Sequence, residues 1–131
     1  MKLLLDTHIW LWSMLEPKHL SRRVVKALKD TKNELWLSPI SVWELLILVE
    51  KKRVVLSKDV PDWIVDAMSK VPLQEAPITH EVALETQYVN LTHRDPADKF
   101  LAATANVFDL TLVTADRRLI DAKGLSILAN R

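Results

Sequence analysis

The apolar residues of this chain fall into short continuous runs, separated by longer stretches with helical periodicity. Each run has three or four mainly apolar residues with polar neighbours, as expected of strands covered on both faces of a parallel sheet. The runs lie at residues 3–5, 35–37, 110–113 and 125–128. Strands separated by helices cannot be hairpin partners and pair in parallel through crossovers. The pattern therefore predicts a layered α/β domain.

Capping residues mark where the intervening helices are expected to begin. A helix should follow from about Thr7, and Ser21 has the character of an N-cap before an amphipathic helix with a basic face. Ser41 and Glu44 have the spacing of a capping box. Asp95, followed by proline at the first helical position, predicts another strong helix start. Further helices are predicted at residues 61–69, after Thr79 and at 117–122, with an irregular extended segment at 71–78.

Composition limits the chemistry available to the chain. Its 131 residues match the commonest size of a single domain, so we expect one domain over residues 1–131. The near balance of 18 basic against 17 acidic residues excludes a polycationic tail that holds nucleic acid by bulk charge. The absence of cysteine excludes thiolate zinc sites and cysteine nucleophiles and suits a reducing compartment. The single glycine excludes a glycine-rich phosphate loop.

No apolar stretch of the sequence approaches the roughly 18 residues that a membrane span needs. Asp6 also interrupts the apolar start of the chain before it reaches the length of a signal peptide. We therefore expect a soluble protein located in the cytoplasm.

Four acidic residues follow apolar runs, each at what looks like the start of a helix: Asp6, Glu44, Asp98 and Asp116. An acid that caps a helix stabilises it by about 0.5–2 kcal/mol, which is enough to explain the presence of any one of these residues alone. It does not explain why they recur after successive candidate strands, whose carboxyl ends share one edge of a parallel sheet. Carboxylates gathered there repel one another unless a cation lies among them, so the pattern predicts a metal site and phosphate chemistry. Thr114 precedes Asp116 by two positions, where its hydroxyl can order an acid or a water.

Four sequence segments, in this order and at these separations, carry a resemblance to a known family. They are LLLDTHIWLW at 3–12, ISVWEL at 40–45, HRDPADKFLAATA at 93–105 and LVTAD at 112–116. With these segments the chain resembles the PIN-domain ribonucleases, and specifically the VapC-type toxins of toxin–antitoxin pairs, over nearly its whole length. The resemblance implies a three-layer α/β/α domain with a central parallel sheet of four to five strands. The family often has Phe where this chain has Ala97.

The resemblance assigns Asp6, Glu44, Asp98 and Asp116 to an acidic site that holds Mg²⁺ or Mn²⁺. It implies an endoribonuclease that hydrolyses tRNA or rRNA to 5′-phosphate and 3′-hydroxyl ends, acting as the toxin beside a cognate antitoxin protein. Oxygen ligands independently suit such hard cations. Asp95 is interpreted mainly as a helix cap, with a minor supporting role at the site.

The neighbours of the acids admit two interpretations. Arg94, Arg117 and Arg118 either bind phosphates beside the scissile bond or are solvated or paired with acids. His8 and His93 are left out of the site, because local packing is the commoner explanation of such a histidine.

The five tryptophans have apolar neighbours, so most should lie in the core or at an interface. The stretch 43–49 is more apolar than one buried helix face requires, which suggests covering by another chain. The resemblance makes that chain a second copy, in a homodimer, or the antitoxin.

Three alternatives stay open at the level of sequence. A phosphatase of the haloacid-dehalogenase kind also begins with a strand and Asp, but needs a second Asp where this chain has His8. A receiver domain needs paired acids before its first helix and a late lysine, and neither is evident. A catalytically weak PIN-like module that binds RNA or a partner is disfavoured by the presence of all four acids.

Overall fold

A computed structural model of residues 1–131 contains one five-stranded sheet and seven α-helices. The strands are β1 (Lys2–Leu5), β2 (Glu34–Leu37), β3 (Gln74–Glu75), β4 (Thr111–Thr114) and β5 (Ile127–Ala129). The helices are α1 (Thr7–Leu15), α2 (Arg22–Lys29), α3 (Pro39–Glu50), α4 (Val60–Lys70), α5 (His80–Glu85), α6 (Pro96–Phe108) and α7 (Arg117–Ile120). Short 3₁₀ turns lie at Pro17–His19 and Thr86–Tyr88. None of these helices combines the length and apolarity needed to cross a bilayer.

All strand pairs are parallel, in the order β3-β2-β1-β4-β5. The chain first builds outward from β1 to β3 and then returns to the other side of β1 to build β4 and β5. This reversal creates a switch point between β1 and β4, and ligands of open α/β sheets bind outside the carboxyl ends of the strands at such a point. The order differs from the 2-1-3-4-5 order of receiver domains, which removes that alternative.

Alternate residues of the central strands enter different cores, which makes the architecture three-layered. Leu3 and Leu5 of β1 pack with α1 to α4 on one face, whereas Leu4 packs with α6 and α7 on the other. In β4, Leu112 joins the second core and Val113 the first. These strands are buried on both faces, which is why the sequence shows continuous apolar runs there rather than alternation. The predicted three-layer α/β/α fold with four to five parallel strands is confirmed.

Most predicted caps are found where the sequence puts them. The Ser21 and Thr79 hydroxyls accept hydrogen bonds from backbone N–H groups at the starts of α2 and α5. The Asp95 carboxylate accepts from the Ala97 N–H at the start of α6. The turn before the last strand contains Gly124 with φ +82°, a left-handed conformation that glycine adopts without strain.

The predicted capping box at Ser41 and Glu44 is wrong. The N-cap of α3 is Ser38, whose hydroxyl accepts from the Ile40 N–H, and Pro39 occupies the first helical position. Ser–Pro is itself a favourable helix start, since proline has no N–H to leave unpaired. Ser41 is fully buried inside the helix, and Glu44 is its sixth residue rather than a first-turn acid.

The irregular segment predicted at 71–78 contains one element that the sequence did not reveal. β3 is a two-residue strand at the edge of the sheet, paired only with β2. Both of its residues, Gln74 and Glu75, are exposed, so no hydrophobic pattern marks it.

Candidate metal centre at the carboxyl edge of the sheet

One cleft of about 330 Å³ brings together all four acids that the sequence analysis selected. Its lining residues are Asp6, His8, Trp12, Glu44, Asp95, Asp98, Ala115, Asp116 and Arg118. Asp6 directly follows β1 and Asp116 lies two residues after β4, so these two flank the switch point. Asp98 enters from the first turn of α6, and Glu44 from the second turn of α3.

Asp6 is held by hydrogen bonds to both of its carboxylate oxygens. Oδ1 accepts from the Thr7 N–H at 2.8 Å, which caps α1, and Oδ2 accepts from the Thr114 hydroxyl at 2.6 Å. Burial nevertheless raises the pKa of the Asp6 carboxyl above its ordinary value, against the opposing effect of these bonds. The Thr114 oxygen also accepts from the Asp116 N–H at 3.0 Å, so this hydroxyl fixes the ends of β1 and β4 relative to each other.

Glu44 is held by a hydroxyl in the same manner. The Thr7 hydroxyl donates to Glu44 Oε1 and lies 2.9 Å from the Ser41 hydroxyl, which is on the same face of α3. Thr7 and Ser41 are both fully buried. Burial raises the pKa of Glu44, and the nearby charge of Asp6 adds to the increase.

Asp98 is paired with a histidine that sequence reasoning left out of the site. His93 Nε2 lies 2.7 Å from Asp98 Oδ2, and both side chains are about one-tenth exposed. Burial, together with the charges of Asp6, Asp95 and Asp116, raises the pKa of Asp98 to about 6, although the bond to His93 opposes this. The only sequence signal for His93 was its position five residues before Asp98 in the same motif.

Asp116 differs from the other acids in having a permanent cation as its partner. Arg118 Nε and Nη2 donate to the two Asp116 oxygens at 3.1 and 2.9 Å, and these bonds lower the pKa of Asp116. The same Nη2 lies 4.0 Å from Asp98 Oδ2. Of the two interpretations left open for the arginines, pairing with an acid is observed for Arg118, whereas Arg94 and Arg117 form no ion pair.

Asp95 and Trp12 also reach the cleft. Asp95 caps α6 as predicted, but its carboxylate lies close enough to raise the pKa values of Glu44 and Asp98. Trp12 is half-buried, with its ring centroid 5.7 Å from that of His8 and 5.2 Å from that of His19. Its apolar neighbours predicted a core or interface position, and nothing in the sequence indicated that it also lines the cleft.

The donor set fits a hard divalent cation. Five carboxylates line the cleft, and the pKa values of three of the four predicted ligands are raised, first by burial and then by the charges of neighbouring acids. The tightest group has His93 and one oxygen each of Asp98 and Asp116 within 4.8 Å of one another. Oxygen-rich sites of this kind suit Mg²⁺ or Mn²⁺, which also bind phosphate oxygens and water.

Comparison with known proteins gives consistent results at the levels of sequence and fold. The family model of the PIN domain matches residues 3–125. Ribonuclease VapC22 from Mycobacterium tuberculosis is 34% identical over 119 residues, which cover 88% of each chain. A chain of the DNA-bound VapBC structure from Salmonella typhimurium is 18% identical with a TM-score of 0.73, covering 100% of this chain and 99% of that one. A chain of VapBC2 from Rickettsia felis, bound to a fragment of promoter DNA, is 18% identical with a TM-score of 0.72 and 98% coverage of both. These two structural matches show the fold.

Proposed function

The chain belongs to the PIN domain family, and on that premise we propose that it is an endoribonuclease that requires Mg²⁺ or Mn²⁺. Asp6, Glu44, Asp98 and Asp116 are the proposed ligands of the cation. The observation that carries the proposal is the convergence of these four acids in one cleft at the switch point of the sheet. We also propose that residues 1–131 form one domain that acts in the cytoplasm. Its proposed substrate is tRNA or rRNA.

When bound, the cation supplies an activated water and positive charge beside the scissile phosphate. The residues of the chain prepare the site for it. Thr114 and Thr7 fix the orientation of the Asp6 and Glu44 carboxylates, and His93 fixes one oxygen of Asp98. Arg118, whose side chain is about half exposed at the rim, bonds to Asp116 through Nε and Nη2 and keeps Nη1 for a phosphate oxygen of the substrate. Hydrolysis by water leaves a 5′-phosphate and a 3′-hydroxyl and does not use the 2′-hydroxyl as nucleophile.

We further propose that the chain is the toxin of a toxin–antitoxin pair. The support comes from the relative named as a VapC ribonuclease and from the fold shared with chains of VapBC complexes. A homodimer is supported by the outer side of α3, where the apolar residues Trp43 and Leu46 are 54% and 47% exposed.

RNA cleavage by the purified protein tests the proposal. We expect cleavage of total tRNA and rRNA with Mg²⁺ or Mn²⁺ and none with a chelator. Asp6→Asn should lower the rate by on the order of 10³-fold, because cation catalysis contributes several kcal/mol and each 1.4 kcal/mol is a factor of ten. The matched control is Asp109→Asn, since Asp109 is exposed, lies outside the cleft and has a left-handed backbone that asparagine also tolerates. Equal rates for the wild type and Asp6→Asn would contradict the assignment of the site.

Sequencing the 5′-phosphate ends that appear when the protein is expressed without a partner identifies the substrate. One or a few discrete RNA sites, absent with Asp6→Asn, are the expected result. New ends that appear equally with Asp6→Asn would argue against an enzymatic toxin.

A further inference from the structure

A second, larger cleft of about 480 Å³ adjoins the acidic one and shares Arg118 with it. We call it the basic groove, and its lining residues are Asn90, Thr92, Arg117, Arg118, Asp121, Ala122 and Lys123. It is built from the loop that precedes α6, on one side, and from α7 and the following turn, on the other. His93 lies in the first of these segments and Asp116 directly precedes α7, so the basic groove is a direct continuation of the acidic cleft.

Most polar side chains of the basic groove have no partner within the molecule. Arg117 and Lys123 are exposed and form no ion pair, and the side chains of Asn90 and Thr92 make no hydrogen bond. The groove contains one acid, Asp121, against three cations. The same is not true of Arg118, which is occupied by Asp116. Because nothing in the fold uses these donors and cations, they are available to an anionic ligand.

We propose that the basic groove holds the phosphates of the RNA strand next to the bond that is cut. This inference rests on the proposed endoribonuclease function and adds the path of the substrate to it. A strand whose scissile phosphate lies at the acidic cleft passes Arg118 and then meets Arg117 and Lys123. Phosphate contacts of this kind position a strand without reading its sequence, while the Asn90 amide and Thr92 hydroxyl lie beside the sugars and bases.

An RNA strand fits the groove better than an acidic segment of a protein. A peptide that bridged both clefts would add a carboxylate to the five already in the acidic cleft, and it would offer the proposed cation no phosphodiester bond to cleave. A phosphodiester strand needs a metal site at the scissile phosphate and positive charge at the neighbouring phosphates. The acidic cleft offers the first, and the unpaired Arg117 and Lys123 of the adjoining groove offer the second.

RNA binding by the double variant Arg117→Ala/Lys123→Ala tests the inference. Binding is measured for a labelled single-stranded RNA of mixed sequence with Mg²⁺ present, in the Asp98→Asn background so that the RNA stays intact. We expect the affinity to fall about tenfold and the slope of log K against log salt to become less steep by about 1.4, since each phosphate contact to single-stranded nucleic acid contributes about 0.7. In the cleaving protein the same pair should raise the KM for RNA by a similar factor.

The control removes two positive charges elsewhere. Arg22→Ala/Lys26→Ala alters the basic face of α2, which lies outside both clefts, and should leave affinity and salt slope as in the parent. Thermal unfolding of both pairs verifies that the fold is retained.

Equal weakening by the two pairs would overturn the inference, because it would reflect net charge alone. Displacement of the RNA by a polyglutamate peptide at equal charge concentration would also overturn it, in favour of an acidic protein ligand. If the wild type cleaves RNA while the groove pair binds it normally, only the groove assignment fails. If the wild type neither binds nor cleaves any RNA, the proposed function fails with it.

Discussion

The two halves of the acidic cleft hold their carboxylates in different ways. Asp6 and Glu44 accept hydrogen bonds from the neutral hydroxyls of Thr114 and Thr7. Asp98 and Asp116 are instead bonded to His93 and Arg118, groups that carry or can carry positive charge. A hydroxyl orients a carboxylate without neutralising it, whereas a cationic partner competes with a metal ion for the same charge. If the proposed cation binds at these acids, the first pair is already oriented for it, whereas the second pair has to exchange its present partners.

The largest effect that we expect concerns the second pair. The stability of the protein should depend on pH in opposite ways through Asp98 and Asp116. The folded-state pKa of Asp98 is raised to about 6, so the folded protein binds a proton more tightly than the unfolded chain and loses stability as the pH rises from about 4 to about 6. Asp98→Asn removes this loss and should stabilise the metal-free protein at pH 7 by up to about 3 kcal/mol, since one pKa unit is 1.36 kcal/mol. Asp116, whose pKa is lowered, contributes stability at pH 7 that is lost as the pH falls below its ordinary value, and Asp116→Asn should destabilise the protein at pH 7.

Urea unfolding in the presence of a chelator, followed from pH 4 to pH 7, measures both changes. Asp109→Asn controls for the loss of one negative charge at an exposed site. Parallel stability curves for the wild type and Asp98→Asn would contradict the raised pKa of Asp98 that its burial among other acids produces.

The second test concerns the hydroxyls of the first pair. Thr114→Val keeps the shape of the side chain but removes the donor to Asp6 and the acceptor for the Asp116 N–H. Loss of such a partner of a metal ligand typically costs 10–100-fold, so we expect the cleavage rate or the affinity for Mn²⁺ to fall about 10–100-fold. Thr114→Ser should restore most of it.

The matched control for that variant is Thr111→Val on the same strand. Its hydroxyl bonds to Ser126 and contacts none of the acids. If Thr114→Val cleaves RNA as fast as Thr111→Val, the Thr114 hydroxyl does not orient Asp6 for metal binding.

The smallest expected effect comes from the competing cation of the second pair. Arg118→Gln frees Asp116, so the affinity for Mn²⁺ measured by calorimetry should increase, by up to about fivefold for an exposed ion pair of at most about 1 kcal/mol. Arg117→Gln, which removes the same charge from a neighbour that forms no ion pair, should give a smaller increase. An affinity that falls in Arg118→Gln would mean that the arginine orders Asp116 for the metal instead of competing with it.

The parts of this molecule that follow local rules were predictable from its sequence. The central strands are covered on both faces and therefore appear as apolar runs, and Ser21, Thr79 and Asp95 cap helices because their side chains bond to backbone within two or three residues. The carboxyl ends of parallel strands share one edge, so the gathering of Asp6 and Asp116 followed from topology. In each of these cases the deciding interaction lies close in sequence or is fixed by the fold class.

The predictions that were wrong or missing concern residues whose structure depends on contacts with distant parts of the sequence. Ser41 has the spacing of a cap, but its hydroxyl lies against Thr7, 34 residues away, and the helix has already begun after Ser38. β3 is defined only by its pairing with the edge of β2. His93 resembles many surface histidines, and its place beside Asp98 depends on how the preceding loop packs against α6. Such positions become visible only when the chain is folded.

The hydroxyl of Thr114 also determines when during synthesis the site can form. It bonds to Asp6 across 108 positions of sequence, and it can do so only when β4 lies beside β1 in the register that pairs Leu5 with Val113. A nascent chain that has emerged from the ribosome as far as α6 contains Asp6, Glu44 and Asp98, but it has neither Asp116 nor the strand that aligns Asp6. If the proposed ligands are correct, the nascent chain has no complete acidic site until β4 has joined the sheet.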